Sequence, residues 1–487
     1  MTGPFPGRPR VRRIAETTLP GLTLLLLAFG AWQLLQVPRR GVADNGDFWR
    51  VTRPAGLRSL APESPPGRFV QPLYASEPSD LGRQFSTPAL LAAIAKHLSW
   101  GMSEAGEMDL RQMGALYLLL TVGVFLLGRR WGLPWLLLCG VAWVLADPGY
   151  LLFFNSFYAD GALFLALLGT VFWLSAPAAG RPPAPGPRRW LYPAFPLAVA
   201  LLASFSKMQY SAFALVLWLA LALAEVGPGA AARRRWLLLA ALGPVAILAP
   251  LHFAVGSGPR FTDVNRYHAV YGGLARLCPD PQRALAELGI PRGMAGLPRR
   301  DVFSAGISAD HPVFRALEDV SLLDLAAGYL RQPVAVLNAG GEIQRALARV
   351  RSHPRGNFER SREHPRRQAF AVAWPFSGLR GRLLGTAPAL VWGLLAATGI
   401  YLGVRFLRRR RGPPPVALLF LFLWVSSQMV VVVLGDGLVS LNQHLVGARL
   451  GLDLLVVWGL WEAGKGLGTD PYNHRRQAGR EERDDRA

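Results

Sequence analysis

Apolar runs close to the length of a membrane crossing recur through this chain, and no other feature limits its fold as strongly. A helix rises about 1.5 Å per residue and the hydrocarbon core of a bilayer is about 30 Å thick, so about 20 apolar residues are needed to cross it. Ten runs approach that length: Leu19 to Val37, Leu110 to Leu127, Gly132 to Ala146, Gly161 to Ala176, Leu191 to Phe205, Tyr210 to Val226, Trp236 to Val255, Leu383 to Phe406, Pro415 to Leu434 and Leu445 to Trp461. The third and fifth are short, as expected of helices that are partly buried or broken. With 51% hydrophobic and only 17% charged residues among 487, the composition suits a protein dissolved in lipid. The expected fold class is therefore an all-α integral membrane protein, polytopic, with about ten transmembrane helices.

The formal net charge of +22 invites a nucleic-acid reading, but the arginines fall largely in short clusters between apolar runs, as the positive-inside rule requires, so no nucleic-acid partner is expected. The first run follows Arg8, Arg10, Arg12 and Arg13, lacks a small-residue cleavage site, and reads as a retained span. With that N-terminus in the cytoplasm, alternation puts Arg129 and Arg130, Arg188 and Arg189, Arg233 to Arg235, Arg408 to Arg411, and Arg475 and Arg476 there as well. Arg39 and Arg40 disagree and are outvoted. Two long segments fall outside, about 38–109 and 257–382, and long translocated segments escape the charge rule. The second carries short helical patterns, Pro281 to Leu288 and Val313 to Leu330, between Pro and Gly punctuation, and is expected to fold as a small helical cap. The expected organisation is thus an N-terminal membrane module, 1–256, with its outer loop 38–109; an outer-face helical loop domain, 257–382; and C-terminal membrane helices with a cytoplasmic tail, 383–487. Pro-rich Arg181 to Arg189 and Gly412 to Pro415 read as cytoplasmic linkers. Cys139 lies in an apolar run and Cys278 in a polar one, so neither a disulfide nor thiol chemistry is expected.

Polar residues that interrupt the apolar pattern carry the functional signal. Just past the first run, Asp44-Asn45-Gly46-Asp47-Phe48-Trp49-Arg50 sets two carboxylates three apart, beside aromatic residues that would desolvate them and raise a pKa into the range useful to a general base. The alternative is that Asp44 or Asn45 caps a following helix. Phe154-Asn155-Ser156-Phe157-Tyr158-Ala159-Asp160 and Ser204-Phe205-Ser206-Lys207-Met208-Gln209 are two further outer-side insertions. An ammonium at Lys207 between two apolar runs suits a lipid-borne phosphate, or else it snorkels to the interface; Asp160 reads equally as a helix cap. Toward the C-terminus Asp436-Gly437 and Asn442-Gln443-His444 precede Arg449 and Asp453, which either present one face to a phosphate or sugar or form an ion pair four residues apart. No metal or nucleotide motif is present; a divalent ion at Asp44 and Asp47 stays open without support, and no cofactor is expected.

At these residues the chain resembles the bacterial surface-glycan hexose transferases of the Wsf type, within the GT-C superfamily of polyprenyl-phosphate-sugar glycosyltransferases. The matching elements are Asn45-Gly46-Asp47-Phe48, Phe154 to Tyr158, Ser206-Lys207 with Gln209, Tyr267 with Val270-Tyr271, and Asp436-Gly437 followed by His444-Leu445. The resemblance implies a GT-C-like helical bundle in the bacterial cytoplasmic (inner) membrane, with its active site on the extracytoplasmic face. It implies transfer of a hexose from a polyprenyl-phosphate donor to a cell-surface or cell-wall glycan, or to a lipid-linked acceptor. Asp47 would be the base, with Asp44 its helper; Lys207 and Arg449 would hold phosphate. Gln209, His444, Asn155, Tyr158, Asp160 and Arg50 would complete the substrate site. Two departures stand out: His268 follows Tyr267 where an Asn is expected, and Gln443 stands where a basic residue is expected.

A secondary transporter or lipid flippase is the rival reading, and an assembly partner of a glycan export machine a third. Transporters gather polar groups near the midplane between inverted repeats, whereas here they collect at the outer ends of spans.

Overall fold

A computed structural model of the chain describes residues 8–60, 68–82, 85–98, 106–176, 191–224, 230–256, 259–308, 310–349, 357–360, 374–387, 389–407 and 415–468. A helix forms in every one of the ten apolar runs: Arg8–Leu35, Leu110–Arg130, Trp135–Leu145, Asp160–Ser175, Leu191–Ser204, Phe213–Leu223, Ala230–Gly256, Leu390–Leu407, Val416–Asp436 and Val446–Gly468. The chain is a multi-pass helical membrane protein. Five helices among the described residues are long and apolar enough to cross a bilayer, and six if one bent pair counts as a single span. The difference from ten has local causes. Trp135–Leu145 and Pro148–Asn155 meet at 68°, because Pro148 cannot continue the helix before it and Asp147 caps a new one by accepting the Gly149 amide at 2.8 Å. Asp160–Ser175, Ala194–Ser204 and Met208–Leu223 are short, and Val446–Gly468 carries Arg449, Asp453 and Glu462.

All 16 residues of Asp160–Ser175 are buried, which makes it the axis of the bundle; a helix apolar on every side belongs at the centre. Small residues let its neighbours close in. A Cβ on Gly161 would lie 2.9 Å from the Tyr117 ring, and one on Gly447 would lie 2.5 Å from Leu163. The outer surfaces of Thr17–Leu35 and Arg235–Gly256 stay apolar and exposed, at Leu24, Leu25, Ile247 and Leu248, where lipid would meet them.

The loop after the first span is not purely helical. It holds short helices Trp49–Ala55 and Thr87–Lys96 and a three-stranded antiparallel sheet, β1 (Leu57–Ser59), β2 (Leu73–Ser76) and β3 (Glu107–Asp109), in that order. Residues 357–360 are stitched to it from far along the chain: Gly41 donates to the Asn357 carbonyl at 3.0 Å, Glu359 to the Arg39 carbonyl at 3.0 Å, and Val70 to the Phe358 carbonyl at 3.0 Å. Arg39 pairs with Asp109 and Glu359, each at 2.8 Å, so a guanidinium that ran against the charge pattern is neutralised locally. The Arg188, Arg408 to Arg411 and Arg475 clusters, and the two Pro-rich linkers apart from Pro415, lie outside the described residues.

The second long segment folds into short helices, among them Pro259–Tyr267, Pro281–Glu287, Val313–Leu317, Leu322–Arg331 and Pro333–Ala348. Tyr267, Tyr271, Leu285, Val302, Phe314 and Leu325 belong to a hydrophobic core of its own, separate from the bundle's.

Candidate functional site

The Asp44–Arg50 loop is shaped from within. Asp44 Oδ1 accepts the backbone amides of Gly46, Asp47 and Phe48 at 2.8, 2.9 and 3.0 Å, closing the turn just before Trp49–Ala55, whose N-cap Phe48 offers no side-chain bond. Burial nonetheless pushes its carboxyl up from the ordinary range. With one oxygen given to three amides, it fixes the loop's shape. Phe48 is buried edge-on against Phe157 and Tyr158, at 5.4 and 4.8 Å, while Trp49 is exposed. The Tyr158 hydroxyl lies 3.0 Å from the Asn45 amide nitrogen and 2.8 Å from Asn45 Oδ1. The Phe154–Tyr158 motif is thus the platform on which the loop is seated.

Asp47 is tied to that platform through Asn45. Its carboxylate takes the Asn45 side-chain amide at 2.9 Å and the Arg50 guanidinium at 3.2 Å, and its side chain is 36% exposed. Desolvation pushes its pKa up, but Arg50, the Asn45 hydrogen bond, Lys207 and His444 together outweigh it and hold the carboxyl below its ordinary value. The sequence reading expected the opposite direction, since it counted the aromatic neighbours and not the cations.

Lys207 and His444, from two other parts of the chain, lie near enough to Asp47 to act on its charge. Lys207 lies in extended backbone just before the Met208–Tyr210 turn, half-buried, with its Nζ 5.7 Å from the Tyr210 ring centre. Among the described residues its ammonium has no hydrogen-bond partner. Gln209 donates to the His444 carbonyl at 2.5 Å and to Gln428 Oε1 at 3.2 Å, and its own Oε1 lies 3.1 Å from His444 Nδ1. His444 Nε2 lies 2.7 Å from Asp436 Oδ2, and the other oxygen of Asp436 meets His268 Nδ1 at 2.7 Å. The far nitrogen of His268 accepts the Val302 amide at 3.1 Å and lies 3.2 Å from Asp301.

That relay depends on a close backbone approach. His268–Leu274 is π-helical, a wide turn that often marks functional positions. Gly437, at φ +60°, sits against it, and a Cβ there would fall 2.3 Å from the His268 carbonyl oxygen. Only glycine fits, which explains why Asp436 is followed by one.

Of the expected site residues, Asp47, Arg50, Lys207, Gln209 and His444 are brought together, with Asp44 and Tyr158 supporting them. Three others are engaged elsewhere. Asn155 is buried and its amide holds the carbonyls of Leu34 and Arg40, both at 2.7 Å, closing the first span onto the platform. Asp160 is fully buried and accepts the Tyr210 hydroxyl at 2.5 Å. Arg449 is 1% exposed and donates to the carbonyls of Ala346 and Asn442. It makes no ion pair with Asp453 either: that carboxylate binds Arg380 and the Tyr150 hydroxyl. His268, Asp301 and Gln428 are the contributors that sequence reasoning missed as site residues, and Asp436 entered it only within a turn motif. An acidic residue ending an apolar run, with a histidine eight positions on, was the available signal for Asp436 and His444. Among the described residues no group of three or more His, Cys, Asp or Glu is placed to hold a metal ion.

A family model described as the YfdI N-terminal transmembrane domain matches residues 10–465. The chain belongs to that family. This corrects the narrower resemblance to Wsf-type hexose transferases drawn from scattered motifs, since the match runs through nearly the whole chain. No curated protein sequence matches. Among solved structures, the archaeal oligosaccharyltransferase AglB from Archaeoglobus fulgidus, in complex with an inhibitory peptide and a dolichol-phosphate, is similar at 13% identity with a TM-score of 0.38, over 94% of this chain and 53% of AglB. This member of the YfdI N-terminal transmembrane domain family thus spans about half the length of that protein.

Proposed function

We propose that the protein is a membrane glycosyltransferase of the GT-C type. It moves a hexose from a polyprenyl-phosphate donor to a surface or cell-wall glycan, or to a lipid-linked acceptor, on the extracytoplasmic face of the inner membrane. The observation that carries this reading is the convergence of one ionised carboxylate, Asp47, with Lys207 and His444 from three separate segments. Sugar transfer needs a base for the acceptor hydroxyl and a cation for the departing phosphate. Asp47 takes the proton as the acceptor oxygen bonds to the anomeric carbon. The bond from that carbon to the phosphate oxygen breaks, its electron pair leaves with the phosphate, and Lys207 meets the resulting charge. His444, held between Asp436 and Gln209, borders the same space and positions the donor.

The ionisable groups that act on Asp47 come from separate segments, Lys207 between two short apolar helices and His444 just after the Val416–Asp436 span, which supports one shared reaction centre over the repeat-related site of a transporter. The test is transfer from synthetic polyprenyl-phosphate sugars by purified protein in proteoliposomes. Asp47→Asn should abolish turnover while leaving a monodisperse protein of unchanged melting temperature. Full turnover in that variant would remove Asp47 from the chemistry.

A further inference from the structure

Outside the site, the second long segment displays a surface that a water-facing cap would not. Leu322–Arg331 and Pro333–Ala348 follow one another with a single residue between them. Each helix is apolar on two sides. The inner side, Leu325, Tyr329, Ala335, Ala339, Ile343 and Leu347, is buried against the rest of the protein. The outer side repeats at helical spacing and is open: Leu323 is 82% exposed, Leu330 81% and Leu337 75%, with Leu322, Val334 and Val336 alongside. Soluble surfaces rarely gather this many large apolar side chains in one place.

The exposed side also leads somewhere. Gly340 packs against the Trp392 indole, whose nearest ring atom lies 3.3 Å from where a Cβ would sit, and Trp392 belongs to the span Leu390–Leu407. Leu379 and Leu383, on the helix that leads to that span, and Leu390 within it are exposed as well. A half-exposed tryptophan near the start of a span is the usual mark of the membrane–water boundary. Arg331 is exposed at the end of the first helix and suited to lipid headgroups, whereas Arg345 near the end of the second, 67% exposed, pairs with Glu342 at 2.9 Å.

We propose that Leu322–Ala348 is a membrane-seated helix pair. Its outer apolar side lies in the bilayer surface beside the Leu390–Leu407 span, and its inner side carries the π-helical segment that holds His268. Gly328 packs against Leu274, and the Tyr329 hydroxyl lies 2.9 Å from where a Cβ on Gly273 would sit, so the helix pair is packed directly on the His268 turn. This reading does not depend on the reaction.

The experiment uses the full-length protein in phosphatidylglycerol–phosphatidylethanolamine vesicles, with Cys139 and Cys278 replaced by alanine and single nitroxide labels at positions 323, 330 and 337. Collision rates with oxygen, which concentrates in lipid, and with a nickel chelate, which stays in water, are compared with labels at Ile247 on a span and Arg283 on the cap. The proposal expects the oxygen-to-nickel ratio at all three sites to approach that at 247 and to exceed that at 283 several-fold. Ratios like that at 283 would overturn it. So would shielding from both reagents with spin–spin broadening, which would mean that a second copy of the chain covers the face.

Discussion

If Asp47 is the base, the acid limb of the pH–rate profile reports its ionisation, and Arg50 is the strongest cation holding that ionisation low. A carboxyl with a depressed pKa is ionised above that value, so activity is present there and lost as pH falls through it. Arg50→Gln removes the guanidinium 3.2 Å away, raises the Asp47 pKa, and moves the acid limb to higher pH. The pair is 41% and 36% exposed, so solvent screens it heavily. An exposed pair is worth about 0.2–1 kcal/mol, and one pKa unit corresponds to about 1.4 kcal/mol, so the limb should move up by about 0.1–0.7 pH units. The assay is kcat/KM for sugar transfer in proteoliposomes from pH 3 to 8, with Arg50→Lys as the charge-retaining control. The shift should shrink in high salt. A limb that stays fixed, or moves to lower pH, in Arg50→Gln would refute Asp47 as the titrating base.

Three structural predictions follow from contacts around the site. Gly437→Ala places a methyl 2.3 Å from the His268 carbonyl at a positive φ, which should cost at least about 1–2 kcal/mol and appear as a lower melting temperature in detergent. Asn155→Leu strips two carbonyls of their donor and should cost about 1–3 kcal/mol for each one left buried; an unchanged thermal midpoint would show that the closure of the first span does not matter to stability. Arg380→Ala leaves Asp453 buried without its cation and should destabilise by about 3–5 kcal/mol, whereas the pairwise change Arg380→Met with Asp453→Leu should recover most of that loss.

Much of the architecture was legible because lipid imposes a simple rule on sequence. Every apolar run became a helix, since a chain in hydrocarbon has nowhere else to put its amide groups. The number of full crossings was less legible, because a run such as Gly132 to Ala146 does not say that Asp147 and Pro148 will turn the chain through 68°. The three strands of the first loop, three or four residues each, are too short to display an alternating pattern. At the site, polar insertions in apolar surroundings pointed to Asp47 and Lys207, whose charges do interact, and to His444, which acts on Asp47 as well. The same rule also named Asn155, Asp160 and Arg449, whose polar atoms turn inward to carbonyls and a hydroxyl. Sequence marks where polarity sits at depth and leaves open whether it faces a cavity or another part of the chain. His268 and Asp301 were missed as site residues because the fold of a loop segment decides their position.

The stitching of residues 357–360 to Arg39, Gly41 and Val70 carries a lesson for how this molecule is made. Ribosomes deliver Asp47 some three hundred residues before the segment that braces its loop. The early membrane helices must therefore wait, with that loop unfinished, until most of the polypeptide has been inserted. Splitting the gene in a connection between helices that lies between those two stretches should yield halves that become competent only when produced side by side.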